Sequence, residues 1–459
     1  MTKHEAPPIG TLSQAEINAA FESNVTNHPS DPEEKKFEVA TVRPPDQAVS
    51  YEEWHDVIAA RFPSLVIAAE AGMSLLAQLL IRDITNCGAI VLIDAPSSGK
   101  TIALNFFDGL EGLTYSTDTF TPASFVSNSA NIKKENLKQV DLLPRIRRTM
   151  LLIRDMATIL SARDDDLLKN LGILTRVLDG EGLSTDTGVH GQRSLRGDYV
   201  FELLAASTPF PPRVWKTMGT LGPRLLFLSL HTPTKSEDVL MSQLKGAAYK
   251  TKELECRAAT RDLACGLWQR FPEGVEWQRD KDDEALLRII VRCASLLSRL
   301  RGQVVVHKEW TDDKKIELVH TSPNVEKPDR LNQVLYNIAR GHALSAGRTN
   351  LAREDMPLIL RLTFDSAPGN RAPVFRKLIE HQGLINAAEI EAHLNCSNPT
   401  ALKEMETLCI LGICTEEDNY GPAKHFRLRP DLDWFLSEEC QTFLHPDKEK
   451  TPLSKSDPV

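Results

Sequence analysis

Four short apolar runs between residues 89 and 230 set the pattern of the chain: AIVLI at 89–93, TMLLI at 149–153, YVFELLAA at 199–206 and LLFLSL at 225–230. Each is short enough for a strand and is followed by polar, Pro or Ser residues, which predicts buried strands rather than helices. Helical spacing fills the intervals. Trp54, Val57, Ile58 and Phe62 lead into Leu65, Met73, Leu76 and Leu80, and Leu167, Leu171, Leu174 and Leu178 form one stripe over 166–178. A helix over 101–107, a strand and turn within 113–126, and a proline-rich loop over 209–219 complete this part. Strands alternating with helices predict an α/β fold with a parallel sheet and flanking helices, its ligand at the C-terminal ends of the strands.

Further along, 235–301 reads as helical, 304–319 as a small strand pair and 327–362 as helix again, a lid of helices after the sheet. Helices over 374–381, 387–394 and 399–411, a stop at Gly412 and a hairpin around Asn419-Tyr420-Gly421 predict a C-terminal winged helix-turn-helix. The expected division is a flexible arm over 1–50, a phosphate-loop core over 51–232, a helical lid over 233–365, the winged helix over 366–445 and a flexible tail over 446–459.

Composition narrows the class. A length of 459 residues suggests about two to four domains. The 63 acidic residues outnumber the 54 basic ones, giving a net charge of -9, so any nucleic-acid contact must come from a local basic strip. The eight cysteines show no C-x-x-C spacing and read as thiols of a reducing compartment. With no run of about eighteen apolar residues and no signal pattern, the expectation is a soluble cytoplasmic protein with no membrane partner.

The chemistry concentrates after the first run, in AIVLIDAPSSGKT at 89–101. Strand, Ser/Gly loop, Lys and Thr in that order are what a phosphate-binding loop requires. Backbone amides of Ser97, Ser98 and Gly99 would cradle phosphate, Lys100 would neutralise it, and the Thr101 hydroxyl would hold Mg²⁺. An ordinary helix start capped by Ser97 or Ser98 is the competing reading. Asp94 stands where the pattern has its first glycine, and its carboxylate must turn away from a polyphosphate or weaken its binding. Asp155, just past the second run, is the candidate acid for Mg²⁺, or else a helix cap. The glycine-rich stretch 180–198 reads as an exposed hairpin or loop with a basic edge at His190, Arg193 and Arg196. Lys424, Arg427 and Arg429 make the wing more basic than the presumed recognition helix, which carries Glu404 and Glu406. DNA binding through the wing and protein docking through the helix both stay open.

With these pieces placed, the chain resembles the AAA+ ATPases, most of all the minichromosome-maintenance helicases and their magnesium-chelatase-like relatives. The resemblance runs from about residue 89 to 362, and the winged helix fits it too. It implies ATP and Mg²⁺ as ligands, a homo-oligomer, and action on or with DNA as a motor or remodelling factor. Gly99, Lys100 and Thr101 match the end of the family's phosphate loop and Asp155 its strand-terminal acid. Thr208 matches the polar residue that orients the attacking water. Arg224 matches the arginine given to a neighbouring subunit's γ-phosphate, or is a surface arginine at a turn, and Arg330 matches the second sensor, although it could simply pair with Asp329. The 180–198 stretch takes the place of the helicases' pore hairpin. The family has Asp-Glu where this chain has Arg154-Asp155-Met156, so one carboxylate is absent. That leaves a slowly hydrolysing ATP-dependent switch or regulator as the alternative to a motor.

Overall fold

Alternate side chains of five strands feed two apolar layers, one on each face of a sheet. The computed structural model describes residues 37–445 apart from 120, 129–132, 134–135, 189, 223, 246–247, 305, 311–315, 321 and 418–423. In chain order, α1 (Tyr51–Arg61) and α2 (Val66–Gln78) precede β1 (Ala89–Ile93), and α3 (Lys100–Asn105), β2 (Thr114–Thr117) and β3 (Met150–Ile153) follow it. Next come α4 (Asp164–Val177), the hairpin of β4 (Gly182–Thr187) and β5 (Gly191–Arg196), then β6 (Glu202–Ser207), α5 (Pro212–Leu221) and β7 (Leu226–Ser229). After the sheet lie α6 (Glu237–Lys245), α7 (Ala248–Arg270), α8 (Glu284–Leu300), the pair β8 (Val306–Trp310) and β9 (Ile316–His320), α9 (Asp329–Ser345) and α10 (Met356–Asp365). They are followed by α11 (Arg371–Glu380), β10 (Leu384–Asn386), α12 (Ala387–Leu394), α13 (Asn398–Ile410), β11 (Cys414–Glu417), β12 (His425–Leu428) and α14 (Glu438–Leu444).

The five-stranded sheet has the order β2-β3-β6-β1-β7, with every pair parallel. The chain leaves β1 for the far edge, returns through β3 and β6, and crosses β1 to reach β7. The C-terminal end of β1 is therefore the switch point at which such sheets bind ligands, and the domain is of the P-loop kind in its layering. Ile90, Leu92, Leu204 and Leu228 pack towards α2 and α9, while Val91, Leu151, Leu203 and Phe227 pack towards α4 and α5. The edge strand β7 is closed by α10: Phe227 N donates to Ser366 Oγ (2.8 Å), Ser229 N to Asp365 Oδ2 (2.9 Å), and Arg361 to the Ser229 carbonyl (2.7 Å). Side chains thus occupy ladder positions that another strand could otherwise take.

Three expectations shift. Residues 209–219 hold a helix, α5, because a proline at its start suits a first turn and Val214 and Met218 share a buried face. The stretch expected as a flexible arm is, from residue 38 to 50, laid against α7: Gln269 donates to the Val42 carbonyl and the Asp46 amide to Asp262 Oδ1. Residues 1–36 and 446–459 lie outside the described ones. The expected break at 232/233 falls inside one packed unit, since α2, before the sheet, lies along α9, after it.

In the last segment the three expected helices are present as α11, α12 and α13, and β10, β12 and β11 form an antiparallel sheet in that order. The expected Asn419-Tyr420-Gly421 turn lies outside the described residues. Among the described residues no helix is long and apolar enough to cross a membrane.

The α2–α9 contact is close because Gly341 has no side chain. A Cβ there would stand 2.0 Å from the Ser74 carbonyl oxygen. Gly341→Ala is expected to cost about 2 kcal/mol, the usual range for overpacking, read as a lower denaturant midpoint.

Candidate functional site

The loop at residues 94–99 leaves β1 at the switch point. Ser97 (φ 65°) and Gly99 (φ 95°) both adopt the left-handed conformation, and Gly99 opens α3. Such a backbone turns successive N–H groups to one side. The amides of Ser97, Ser98, Gly99, Lys100 and Thr101 donate to no acceptor among the described residues, so the loop offers a row of open donors. Lys100 folds over them. Its Nζ donates to the carbonyls of Asp94 (2.8 Å) and Ala95 (2.7 Å) and to Ser98 Oγ (3.1 Å). Burial, outweighing the pull of Asp94 and Asp155, brings its ammonium below the usual lysine range. Thr101 is exposed on the first turn of α3.

Asp94 turns away from the loop interior. Its Oδ1 accepts from the Ala95 amide (2.7 Å) and its Oδ2 from the Thr232 amide (3.1 Å), and Thr232 Oγ1 donates to the Ser98 carbonyl (3.1 Å). Partial burial works against the charge, but the Thr232 and Ala95 amides hold the carboxyl below the usual carboxylate range.

In front of the loop is a cleft of about 330 Å³. Phe62, Leu65 and Ile102 give it an apolar wall, and Tyr249, Lys235 and Lys252 close it from the side of α6 and α7. Phe62 and Tyr249 meet edge to face at 5.5 Å. Sequence reasoning missed these cleft residues, because they lie far from the loop in the chain. The available signal was a tyrosine among lysines, YKTK at 249–252.

Asp155 lies at the same end of the sheet, near enough to act on Lys100, and is exposed. Its Oδ1 also accepts from the Ala157 amide (2.7 Å), so the capping role is present alongside any other. Arg154 turns to Asp108 (3.1 Å) and Asp118 (3.3 Å). Met156 is fully buried in the layer beneath the sheet and is not a site residue. Thr208 follows β6, whose Ser207 is in register with Ile93 of β1, which puts it at the loop's end of the sheet.

Arg224 and Arg330 sit elsewhere. Both donate to Asp179 Oδ1, at 3.1 and 2.8 Å. The preceding residue, Leu178, accepts from the Cys87 amide just before β1, so this pair lies where the strands begin. Arg330 therefore does not share an end of the sheet with Lys100. A five-residue strand spans about 13 Å and separates the two ends.

The residues read as basic surface are largely engaged. Arg193 is bidentate to Asp141 (3.2 and 2.6 Å), with Asp141 fully buried and Arg193 mostly so, and it is a structural tie rather than a free contact. Lys424 meets Glu416 at 3.0 Å, Arg427 meets Glu417 at 2.6 Å and Arg429 meets Asp431 at 3.3 Å, so the strand pair expected as a basic wing is charge-balanced. Arg196 is exposed on β5, donating to Ser184 Oγ, and His190 sits beside the β4–β5 turn. Among the described residues no group of three or more His, Cys, Asp or Glu is arranged to hold a metal.

No family model matches the chain, and no curated protein matches it. Among solved structures it is similar to a full-length MCM homolog from Methanopyrus kandleri, at 12% identity and a TM-score of 0.40. The match covers 72% of this chain and 63% of that one, less than two thirds of its length. So distant a superposition decides nothing about this chain's chemistry.

Two substitutions separate site from scaffold. Arg193→Met should cost about 3–5 kcal/mol in unfolding free energy, because it leaves the Asp141 carboxylate buried without its partner. Met156→Glu should lower the melting temperature and leave any nucleotide turnover unimproved, because the new carboxylate enters the apolar layer.

Proposed function

We propose that the chain is an ATP-binding protein of the AAA+ kind in which nucleotide binding, rather than rapid hydrolysis, does the work. The observation that carries this is the loop of open amides between Ser97 and Thr101, with Lys100 folded over it and an aromatic-walled cleft in front. Phosphates would take the amides, and Lys100 Nζ would leave its carbonyl partners to meet them. The base would lie against Phe62 and Tyr249.

An Mg²⁺ ion, which neutralises charge on the phosphates, would have Thr101 and Asp155 from the protein and its remaining ligands from phosphate and water. Fast hydrolysis needs a carboxylate free to polarise water. We read Asp155 as the acid for this, although its Oδ1 also accepts from the Ala157 amide, while Arg154 and Met156 supply none. We read Thr208, just past β6 at the loop's end of the sheet, as the group that would orient a water for slow turnover.

Arg224 and Arg330 stand at the strand-start end of the sheet, away from Lys100. We read them as presented to the nucleotide of a second copy, in a head-to-tail homo-oligomer. We further read residues 366–445 as a winged-helix module. Its paired charges favour docking of a protein over DNA, and any DNA contact falls to the β4–β5 hairpin around His190 and Arg196. Few phosphate contacts are available there.

Calorimetric titration of the full chain with ATP and Mg²⁺ should show one site, and Lys100→Ala should weaken it by at least about tenfold, or about 1.4 kcal/mol. A chain that binds no nucleotide, or binds it equally well without Lys100, would sink the reading. Light scattering should show ATP-dependent growth in mass that Arg224→Ala reduces; growth that ignores this arginine would remove the head-to-tail arrangement.

A further inference from the structure

A second pocket, of about 240 Å³, lies at the opposite end of the sheet from the phosphate loop and shares no residue with the nucleotide cleft. It is lined by the last turn of α5 at Gly219–Gly222, by Asn324 and by two charged groups, Arg301 and Glu326. Arg301 follows α8, and its side chain is 3% exposed. Nε donates to the Ser366 carbonyl (3.2 Å) and Nη2 to the Leu225 carbonyl (2.6 Å), which fixes the guanidinium in place. Nη1 has no hydrogen-bond acceptor among the described residues. It faces Glu326 Oε1 at 4.0 Å, beyond hydrogen-bond reach, and that buried oxygen likewise has no donor.

A buried donor and a buried acceptor left this way are costly unless something relieves both. Burial brings the Arg301 guanidinium down to about 10 and pushes the Glu326 carboxyl up from its ordinary value. The end of α5 adds a third feature. Its carbonyls at Gly219, Thr220 and Leu221 accept from no donor among the described residues, and a helix C-terminus carries partial negative charge.

These groups select a ligand by charge. A simple anion would meet Arg301 but also Glu326 and the carbonyl end of α5. A simple cation would meet Arg301 against it. A molecule carrying an acceptor and a donor on neighbouring atoms satisfies both sides, with its carboxylate on Nη1 and its ammonium on Glu326 Oε1 and the α5 carbonyls. A water occupies about 30 Å³, so the pocket has room for more than the single water that could bridge a 4.0 Å gap. We propose that the pocket between Arg301, Glu326 and the end of α5 binds a small zwitterion of the free α-amino acid class. The proposal does not depend on the nucleotide reading.

The test is thermal unfolding of the full chain, with and without ATP, in millimolar glycine, alanine or glutamine, against acetate and methylammonium as half-ligands. At least one amino acid should raise the melting temperature saturably while neither half-ligand does. Glu326→Gln, which keeps the shape, should raise the half-saturating concentration by about tenfold. Asn324→Ala, two residues before Glu326 in the same lining segment, should raise it less. No shift with any amino acid, an equal shift with acetate alone, or a shift unchanged in both variants would overturn the proposal and leave bridging water as the occupant. A result of either kind stands whether or not Lys100 binds nucleotide.

Discussion

Asp94 decides the form of the loop end of the sheet. The usual solution at this position is a glycine, which eases the turn out of the strand and keeps charge away from phosphate. Here a carboxylate does something else. One oxygen caps the Ala95 amide and the other takes the Thr232 amide, while Thr232 returns a hydrogen bond to the Ser98 carbonyl. The exits of β1 and β7 are thereby joined on both flanks of the phosphate loop. The negative charge is spent on these amides, so it does not face the row of open donors at Ser97–Thr101. It does add to the field that holds Lys100 in place, and lysine and aspartate share the same short loop without a direct ion pair.

From β7 the same logic continues outward. Ser229 donates to Asp365, which also takes Arg361 (2.7 Å) and, from α11, Arg376 (3.0 Å). Burial works against the charge on Asp365, but the neighbouring His231, Arg361 and Arg376 hold its carboxyl below the usual range. A buried carboxylate of this kind is stable only while its cations stay in place. The loop end of the sheet and the first helix of the C-terminal segment are therefore held through the edge of one strand, β7. Thr232 and Asp365 lie on either side of the same short exit.

Much of this fold was legible in the sequence, because short apolar runs separated by stop signals are governed by local physics. The four runs became β1, β3, β6 and β7, the Thr/Tyr-rich segment became β2, and the glycine-rich stretch became the β4–β5 hairpin. The loop residues Ser97 to Thr101 fall in the same category, since strand, turn and helix start lie within a few residues. The misses share another cause. Prolines at 209, 211 and 212 read as a loop, yet the last of them starts α5, where a missing amide costs nothing. Phe62, Tyr249 and Lys235 reach the cleft from three elements that only tertiary packing brings together. Arg193 reads as a basic loop residue until Asp141, more than fifty positions earlier, takes both its amino groups. Charge pairing across long sequence separations leaves no periodic trace.

The paired arginines at the other end of the sheet follow from the same geometry. In a parallel sheet, residues after the strands and residues before them stand a strand's length apart, so the Lys100 loop and the Arg224–Arg330 pair open at opposite ends of the sheet. Asp179 holds those two cations in one place, with Arg224 mostly buried and Arg330 about two-fifths exposed. Arg176 also reaches Asp179 (3.3 Å) and pairs with Glu181 (3.0 Å), so three guanidinium groups face two carboxylates, and an exposed surplus of this kind has free energy to gain from an anion brought from outside the chain. The cleft at the loop end, with its open amides, is where an anionic ligand would be held on the proposed reading. On the proposed reading, the two ends would be complementary in charge once the cleft is filled. Complementarity that appears on filling would make assembly depend on the ligand, and with Asp155 already engaged at the Ala157 amide, such an assembly would last as long as the ligand stays bound and unhydrolysed.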